Sequence, residues 1–243
     1  MHDTALVVMA RYPEVGKTKT RLARTIGHIE AVNLYQAFLT DLAQRFAGQE
    51  WNLHWTYTPA EVDYQRFITT LAPGLPMSSF PQQGPDLGAR LRHVFQWTHF
   101  HGFEHTIVIG SDAPHISREI IARAKSALDK ADVVLGPADD GGYYLIAMRK
   151  PYDVFSGIPM STPVVATMTI EAAQRQGLTV HLLESLFDVD ELPDLVRLAQ
   201  LLAADATHAP VTAAHLTTMR SLYESNTCTF STALNLHRAD QPL

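Results

Sequence analysis

Residues 106–114 read TIVIGSDAP, a short run of β-branched residues that passes directly into an acidic turn. A continuous apolar run of this length is typical of a strand that is buried on both faces of a sheet. Ser117 follows as a natural N-cap, and apolar residues recur at helical spacing from Ile120 to Leu128. This stretch predicts a buried strand, a turn that carries a carboxylate, and a covering helix.

The same unit recurs along the chain. Further strands are predicted at residues 6–10, 51–57, 132–136, 143–148 and 179–183. Amphipathic helices are predicted at residues 32–46, 62–71, 87–97, 162–176 and 193–202. Strands that alternate with helices predict an α/β fold with a mainly parallel sheet and helices on both faces. The less periodic residues from 203 onward are expected to form a peripheral extension, either packed on the domain or partly disordered.

Composition limits the class of protein. The chain has 243 residues, of which 46% are apolar and 18% charged, as in an ordinary globular protein, and this length allows one large domain or two small ones. Its formal net charge of -6 lacks the basic surplus of proteins that bind duplex nucleic acid. Cys228 is the single cysteine, and no apolar run approaches the ~18 residues of a membrane span. We therefore expect a cytoplasmic protein with no nucleic-acid partner and no membrane span.

The loop after the first strand contains residue types that bind phosphate. This basic loop reads RYPEVGKTKTRL over residues 11–22 and has four cations, one glycine and two threonines where a helix begins. Backbone N–H groups at the start of a helix bind anions, and Lys and Arg add charge and directed donors. It is not a P-loop, because Arg11 stands where that motif requires a second glycine. A solvated basic surface loop remains the alternative.

Carboxylates follow three of the predicted strands. Asp112 and Asp140 follow two of them, and Asp188 and Asp190 follow a third. In an open α/β sheet, ligands bind beyond the carboxyl ends of the strands, so these side chains are expected at one edge. Hard divalent cations such as Mg²⁺ take oxygen ligands of this kind. Any one of these aspartates alone is explained equally well by a turn or a helix cap.

Three further features are candidates for contact with a ligand. Gly141 and Gly142 let the backbone approach a ligand closely, although a plain turn explains them almost as well. Residues 82–88 read QQGPDLG and contain side-chain amides that are suited to hydrogen bonding with the edge of a nucleobase. A loop in which the aspartate is a helix N-cap explains the same sequence. His115 follows the acidic turn and is a candidate to contact the substrate.

Five blocks of sequence together resemble a known family. They are GKTKTRL at residues 16–22, QGPDLGARL at 83–91, GSDAP at 110–114, GPADDGGYYL at 136–145 and DVD at 188–190. In this order they resemble a bacterial family of glycosyltransferases with the GT-A, or nucleotide-diphospho-sugar transferase, fold. Some members are called arsenosugar-biosynthesis glycosyltransferases, and phospholactate guanylyltransferases are relatives. The resemblance implies one GT-A domain over residues 1–202 and a C-terminal extension over residues 203–243.

The resemblance also implies a bound nucleotide sugar or nucleoside triphosphate. Its phosphates and base would be bound by residues of the first and second blocks. These residues are Gly16, Lys19, Thr20, Arg21, Gln83, Gly84 and Gly88.

A metal site and an acceptor site are implied in the same way. Asp112 would bind Mg²⁺ or Mn²⁺ together with Asp190, and Asp188 is the substitute for this second ligand. Asp140 would orient or deprotonate a hydroxyl of a small-molecule acceptor. The residues expected to face the acceptor are Gly141, Gly142, Tyr143 and His115.

The function expected from these features is metal-dependent glycosyl transfer from a nucleotide-diphospho-sugar donor. Lys19 and Arg21 would stabilise charge on the leaving group. The sequence departs from the family pattern at Arg11, where relatives often have lysine, and at Ala89, which replaces a common acidic residue. Asp112 also lacks the Asp-x-Asp pairing of many glycosyltransferases, which is closer to the nucleotidyltransferase pattern. The alternatives are a nucleotidyltransferase that releases pyrophosphate and a nucleotide-binding protein without turnover.

Overall fold

One seven-stranded sheet forms the centre of the protein. The computed structural model describes residues 3–225. The strands are β1 (Thr4–Arg11), β2 (Asn52–Thr58), β3 (Ser78–Pro81), β4 (His105–Gly110), β5 (Val133–Pro137), β6 (Tyr143–Met148) and β7 (Val180–Leu182). Their order across the sheet is β3-β2-β1-β4-β6-β5-β7.

Eight α-helices connect and cover these strands in the described part of the chain. They are α1 (Thr20–Ile26), α2 (His28–Phe46), α3 (Tyr64–Leu71), α4 (Leu87–Phe100), α5 (Arg118–Ala127), α6 (Val165–Arg175), α7 (Leu192–Ala204) and α8 (Pro210–Ser225). A short 3-10 helix, Ala206–His208, precedes α8. Within residues 3–225, none of the helices has the length and apolarity needed to cross a membrane.

The sheet is mainly parallel, as the sequence predicts. Strand β6 is the exception among the described strands, because it pairs antiparallel with both β4 and β5. Only residues 138–142 join β5 to β6, which is too short for a parallel crossover. Because β1 and β4 are parallel neighbours, the residues that follow these two strands meet at one edge.

Helices cover both faces of the sheet, which confirms the predicted layers. Alternate side chains of β1 show this directly: Leu6 and Val8 belong to one apolar cluster, and Ala5 and Val7 to the other. The first cluster includes residues of α1, α2, α3, α5 and α7, and the second includes residues of α4 and α6.

The first part of the expected C-terminal extension packs on the domain. Helix α8 begins beside α2, where the carboxylate of Asp41 accepts hydrogen bonds from the backbone N–H of Val211 and of Thr212 at 2.9 and 2.8 Å. The Thr212 hydroxyl donates to the same carboxylate at 2.6 Å. Cys228 and the rest of the extension lie outside the described residues.

Candidate functional site

A cavity of about 420 Å³ lies at the edge of the sheet where β1 and β4 end. Its basic residues come from the basic loop and from α4, and its acidic residues follow β4 and β7. They are Arg11, Lys17, Lys19, Arg21, Arg90, Asp112 and Asp190. The structure therefore brings these predicted residues to one edge of the sheet, and the cavity has five basic side chains against two carboxylates.

Lys19 is at the centre of this cavity, which is called the Lys19 cavity below. Its Nζ donates to Asp112 Oδ1 at 2.7 Å, to Asp190 Oδ1 at 3.0 Å and to the backbone oxygen of Val189 at 2.7 Å. The side chain is only 5% exposed, so it is not part of a solvated surface loop. Burial lowers the pKa of Lys19, but Asp112 and Asp190 raise it by more, so the net pKa lies above its ordinary value.

Arg21 contacts the same aspartate from the more exposed side. Its Nη2 lies 2.6 Å from Asp190 Oδ2, and its Nη1 lies 3.6 Å from Glu191 Oε1. Burial raises the pKa of Asp190, whereas Lys19 and Arg21 lower it by more, and the net pKa is below the ordinary value. The structure thus brings together Lys19, Arg21, Asp112 and Asp190, as the sequence predicts.

The other basic-loop candidates lie beside them. Thr20 lines the cavity at the first residue of α1. Gly16 forms the preceding turn with a φ of +81°, and the N–H groups of Lys17 and Thr18 both donate to the Glu14 carbonyl there.

The pKa of Asp188 is raised by burial and by nearby carboxylates. Burial and then the negative charge of Asp112 raise its pKa to about 7, and Asp190 and Asp140 add to the rise while Lys19 opposes it. Asp140 is therefore close enough to act electrostatically on this group, although it does not line the Lys19 cavity. Burial and the neighbouring negative charge thus both favour the protonated form of Asp188.

The donor chemistry of this group fits a hard divalent cation. The ammonium of Lys19 already lies between Asp112 and Asp190, so the two carboxylates hold a cation in this structure. Within residues 3–225, no group of three or more His, Cys, Asp or Glu side chains is arranged to hold a metal ion. Mg²⁺ is commonly held by one or two carboxylates together with substrate phosphates, which is the number available here.

Tyr35 and Ser111 line the cavity and contact each other, and neither is among the site residues predicted from the sequence. The hydroxyl of Tyr35, on α2, lies 2.8 Å from Ser111 Oγ and accepts a hydrogen bond from the N–H of Arg11 at 3.1 Å. Burial and the charge of Asp112 raise the pKa of Tyr35 to about 12, so it remains protonated. Tyr35 fits the helical spacing of a core residue, which conceals this polar role in the sequence.

The loop at residues 82–88 differs in detail from the prediction. Gln82, and not Gln83, lines the cavity, and its Nε2 donates to the carbonyls of Ala10 and Thr56 at 3.2 and 3.1 Å. The loop is closed by Arg90, whose Nε donates to the Gly84 carbonyl at 3.1 Å.

The glycines of this loop have packing constraints of their own. Gly84 has a φ of +131°, and a Cβ there would lie 2.7 Å from Ala89 Cβ. Gly88 faces Met160 and Phe155, and Asp86 caps α4 by accepting from Ala89 N at 2.8 Å. The aspartate-cap interpretation is therefore confirmed, while the nucleotide-binding roles of Gln83, Gly84 and Gly88 remain predictions.

Residues 138–142, here called the glycine loop, form the turn between β5 and β6. The carboxylate of Asp140 accepts from Gly142 N at 2.9 Å, and Ala138 N donates to the Gly142 carbonyl at 3.0 Å. Gly141 has a φ of +87°, and a Cβ there would lie 2.0 Å from the Pro163 carbonyl oxygen. The ring of Tyr143 packs on the apolar cluster under α4 and α6.

His115 does not join the Lys19 cavity. It is 5% exposed, its ring stacks on Phe187 with centroids 4.3 Å apart, and it lines a different cavity beside α2 and α5. The structure therefore does not bring His115 together with Lys19, and its predicted contact with the acceptor remains a prediction.

Comparison with known proteins shows the family to which this chain belongs. The family model described as "Uncharacterized protein conserved in bacteria (DUF2064)" matches residues 42–162. One solved structure is a protein of Desulfovibrio desulfuricans G20 that is described as a "putative nucleotide-diphospho-sugar transferase". It is 33% identical in sequence to this chain, and the TM-score is 0.84. The match covers 94% of this chain and 100% of that one. No curated protein matches significantly.

More distant structures share only the fold. A cytidylyltransferase from Leptospira borgpetersenii serovar Hardjo-bovis is 11% identical with a TM-score of 0.57, over 95% of this chain and 100% of that one. The inositol-1-phosphate CTP transferase from T. maritima is 12% identical with a TM-score of 0.53, over 84% of this chain and 95% of that one. With a 33% identical relative aligned along nearly its whole length, the chain belongs to the DUF2064 family and has the nucleotide-diphospho-sugar transferase fold.

Proposed function

We propose that the chain is a cytoplasmic transferase that binds a nucleotide diphosphate group in the Lys19 cavity and transfers a glycosyl group from a nucleotide-diphospho-sugar to a small acceptor. The observation that carries the proposal is the charge of that cavity, with five basic side chains against two carboxylates at the carboxyl ends of β1 and β4. Such a surplus favours a polyanionic ligand. The name of the 33% identical relative supports the same class of donor.

The basic loop supplies the groups for the phosphates. Lys19 and Arg21 are held by Asp112 and Asp190, so both cations are already positioned before a ligand binds. When a diphosphate binds, the ammonium and guanidinium would hydrogen-bond its oxygens. Their charge then stabilises the diphosphate as it becomes the leaving group.

We further propose that Mg²⁺ or Mn²⁺ accompanies the nucleotide. Asp112 and Asp190 would hold the ion, with Asp188 as the nearby substitute. When bound, the ion neutralises charge on the diphosphate. Burial and then the negative charge of Asp112 raise the pKa of Asp188, and a bound cation would offset the second of these causes.

Asp140 is proposed to act on the acceptor. Its Oδ1 accepts a hydrogen bond from Gly142 N, which orients the exposed carboxylate at the tip of the glycine loop. A carboxylate in this position would orient or deprotonate an acceptor hydroxyl. Gly141, Gly142 and Tyr143 would form the adjoining part of the acceptor site.

Nucleotidyl transfer is the second candidate, and one observation favours it. Asp112 follows β4 as Asp112-Ala113-Pro114, without a second acidic residue two positions along. In this reaction an acceptor attacks the α-phosphate of a nucleoside triphosphate, and pyrophosphate leaves. The same cations, Lys19 and Arg21, would stabilise the departing charge.

A thermal-shift screen of nucleotides and nucleotide sugars, with Mn²⁺ or with EDTA, tests the proposal. A ligand present at ~100 times its Kd and bound only to the folded state adds ~2.7 kcal/mol of stability. We expect nucleotide diphosphates and their sugars to stabilise the protein far more with Mn²⁺, because the carboxylates otherwise repel phosphate. Equal stabilisation in EDTA would contradict the metal assignment, and tight metal-insensitive binding without turnover would favour a nucleotide-binding protein.

The two reactions are separated by their products. Incubation with a nucleoside triphosphate and a phosphorylated acceptor releases pyrophosphate only if the protein is a nucleotidyltransferase. Incubation with a nucleotide sugar and an acceptor releases nucleoside diphosphate only if it is a glycosyltransferase.

A further inference from the structure

A second cavity, of about 430 Å³, lies between α2, the turn that follows β4, the start of α5 and the 3-10 helix. None of its lining residues lines the Lys19 cavity. Apart from the predicted contact of His115 with the acceptor, the proposed transferase function makes no use of this cavity.

His115 is the unusual residue in the wall of this cavity. It is only 5% exposed, and neither ring nitrogen has a hydrogen-bond partner among the residues that the structure describes. A buried polar group without a partner costs free energy, and native proteins rarely leave both nitrogens of an imidazole in this state. The protonated nitrogen of this imidazole is therefore a donor that a bound acceptor would satisfy.

Two arginines, Arg45 and Arg118, line the same cavity as His115. Arg45 Nη1 donates to the carbonyls of Pro114 and Ile116 at 2.6 and 2.7 Å, and its Nη2 donates to the His208 carbonyl. Arg118 donates from Nε to the Arg45 carbonyl at 2.8 Å. A guanidinium has five N–H donors, so Arg118 keeps donors on its terminal nitrogens that no described residue accepts.

The electrostatic field at His115 is positive. Burial, and then the charges of Arg45, His208 and Arg197, lower its pKa to about 4, so the imidazole is neutral at neutral pH and offers one N–H donor.

The cavity wall also has two carboxylates, which act electrostatically on Arg45 and accept hydrogen bonds from uncharged donors. Asp41 caps α8 through both of its oxygens. Glu119 accepts from Ser117 at the start of α5, and the pKa of its carboxyl is lowered accordingly.

We infer that this cavity is a second ligand site, which binds a small oxyanion, a carboxylate or a phosphate group, through His115 and Arg118. The anion would satisfy the positive field and accept from the imidazole and from the terminal nitrogens of Arg118. Arg45 has a positioning role, because its guanidinium fixes the turn that carries His115.

The test is a titration of the full chain with inorganic phosphate, and separately with acetate, followed by NMR of the histidine side chains. Sodium chloride at matched ionic strength is the blank, and the His115 signal is assigned by its loss in His115→Phe, which keeps a ring to stack on Phe187. We expect a saturable shift of the His115 resonance. The anion that gives the tighter binding distinguishes a phosphate-bearing from a carboxylate-bearing ligand.

Two variants on α5 decide whether the site is the one described. Arg118→Gln is expected to weaken the binding at least about tenfold, as when a charge-assisted hydrogen bond is lost. Arg123→Gln is the matched control, because Arg123 lies on the same helix but pairs with Glu184, and it should leave the affinity unchanged. A His115 shift that does not saturate with either anion, or equal affinities for the two variants, would overturn the inference. Because the readout is local to His115, this result is independent of whether the Lys19 cavity binds nucleotides.

Discussion

The basic loop follows β1 and the glycine loop follows β5 of the same sheet, yet they are held in different ways. Lys19 and Arg21 of the basic loop are held mainly by ion pairs to Asp112 and Asp190. The glycine loop is held by backbone hydrogen bonds and by close contact of Gly141 with Pro163. An ion pair can exchange its partner for a charged ligand, whereas a backbone contact cannot. The first loop is therefore suited to binding and the second to fixing a geometry.

The largest expected effect separates the carboxylates of the two regions. Asp140→Asn keeps an acceptor for Gly142 N, so it should retain nucleotide and metal binding while turnover falls by ~10²–10⁴, the contribution of a general base. Asp112→Asn should instead abolish metal-dependent nucleotide binding, because an amide supplies no charge to a hard cation. Calorimetric titration of UDP or GDP with Mn²⁺ measures binding, and release of nucleoside diphosphate or pyrophosphate measures turnover.

Asp139→Asn is the control for the pair, because Asp139 is the exposed neighbour of Asp140 and pairs with Arg197 at 2.5 Å. If Asp140→Asn loses the metal and Asp112→Asn keeps it, the two roles are reversed. If both variants keep it, the ligands are Asp188 and Asp190.

Gly141→Ala tests the statement that steric contact holds the glycine loop. The left-handed backbone costs an alanine about 1–2 kcal/mol, and the overlap with the Pro163 carbonyl adds about 1–3 kcal/mol. Chemical denaturation should thus show a loss of about 2–5 kcal/mol in the free energy of unfolding. Gly177→Ala is the matched control: it also has a positive φ, of +72°, but a Cβ there meets nothing within 4 Å. Equal losses in the two variants would mean that the Pro163 contact has no role.

Lys19→Ala and Arg21→Ala test the statement that charge in the basic loop serves binding. Each should weaken nucleotide diphosphate binding by ~1.5–3 kcal/mol, the value of a charge-assisted hydrogen bond, and leave the fold intact. Calorimetry provides the affinities, and circular dichroism checks the fold. Arg24→Ala, an exposed position one turn further along α1, is the control and should bind as the wild type does. Unchanged affinity in both test variants would contradict a role of these two cations in phosphate binding.

The smallest effect is a dependence of stability on pH. The pKa of Asp188 is about 7 in the folded protein and 3.8 ordinarily, so the folded state binds this proton more tightly than the unfolded state does. The favourable contribution of the protonated form is complete below pH 4 and is lost as the pH rises toward 7. Asp188→Asn should therefore gain about 1–2 kcal/mol over the wild type between pH 4.5 and 7.5 in EDTA, a value reduced for solvent screening. The exposed control Asp129→Asn should show no such gain, and parallel pH profiles for all three proteins would refute the assignment.

The sequence predicts most of the fold, because the strands are marked by continuous apolar runs. Strand β6 is predicted and observed at residues 143–148, and the strand at 106–110 is extended by one residue, to His105. Helix α4 continues three residues beyond Trp97, to Phe100, because no proline or glycine ends it there. The direction of β6 follows from the five residues that precede it, a length that allows only a hairpin.

The site is less completely predictable. The grouping of Lys19, Arg21, Asp112 and Asp190 follows from the ends of strands, which topology brings together. The role of Tyr35 does not follow, since it depends on which α2 side chain reaches Ser111. Gln82 and Gln83 are the same residue type, so the sequence alone does not distinguish them. Only the pairing of β3 with β2 determines which of the two faces the cavity.

The Lys19–Asp190 pair joins positions that are 171 residues apart in the chain. On a ribosome that adds roughly 5–20 residues per second, Asp190 emerges roughly 9–34 s after Lys19. During this interval the ribosome adds β2, β4 and then Asp112, but one of the two anions that hold Lys19 does not yet exist. The Lys19–Asp190 pair can therefore form only late in the synthesis of the chain, after the strands that flank β1 have been made.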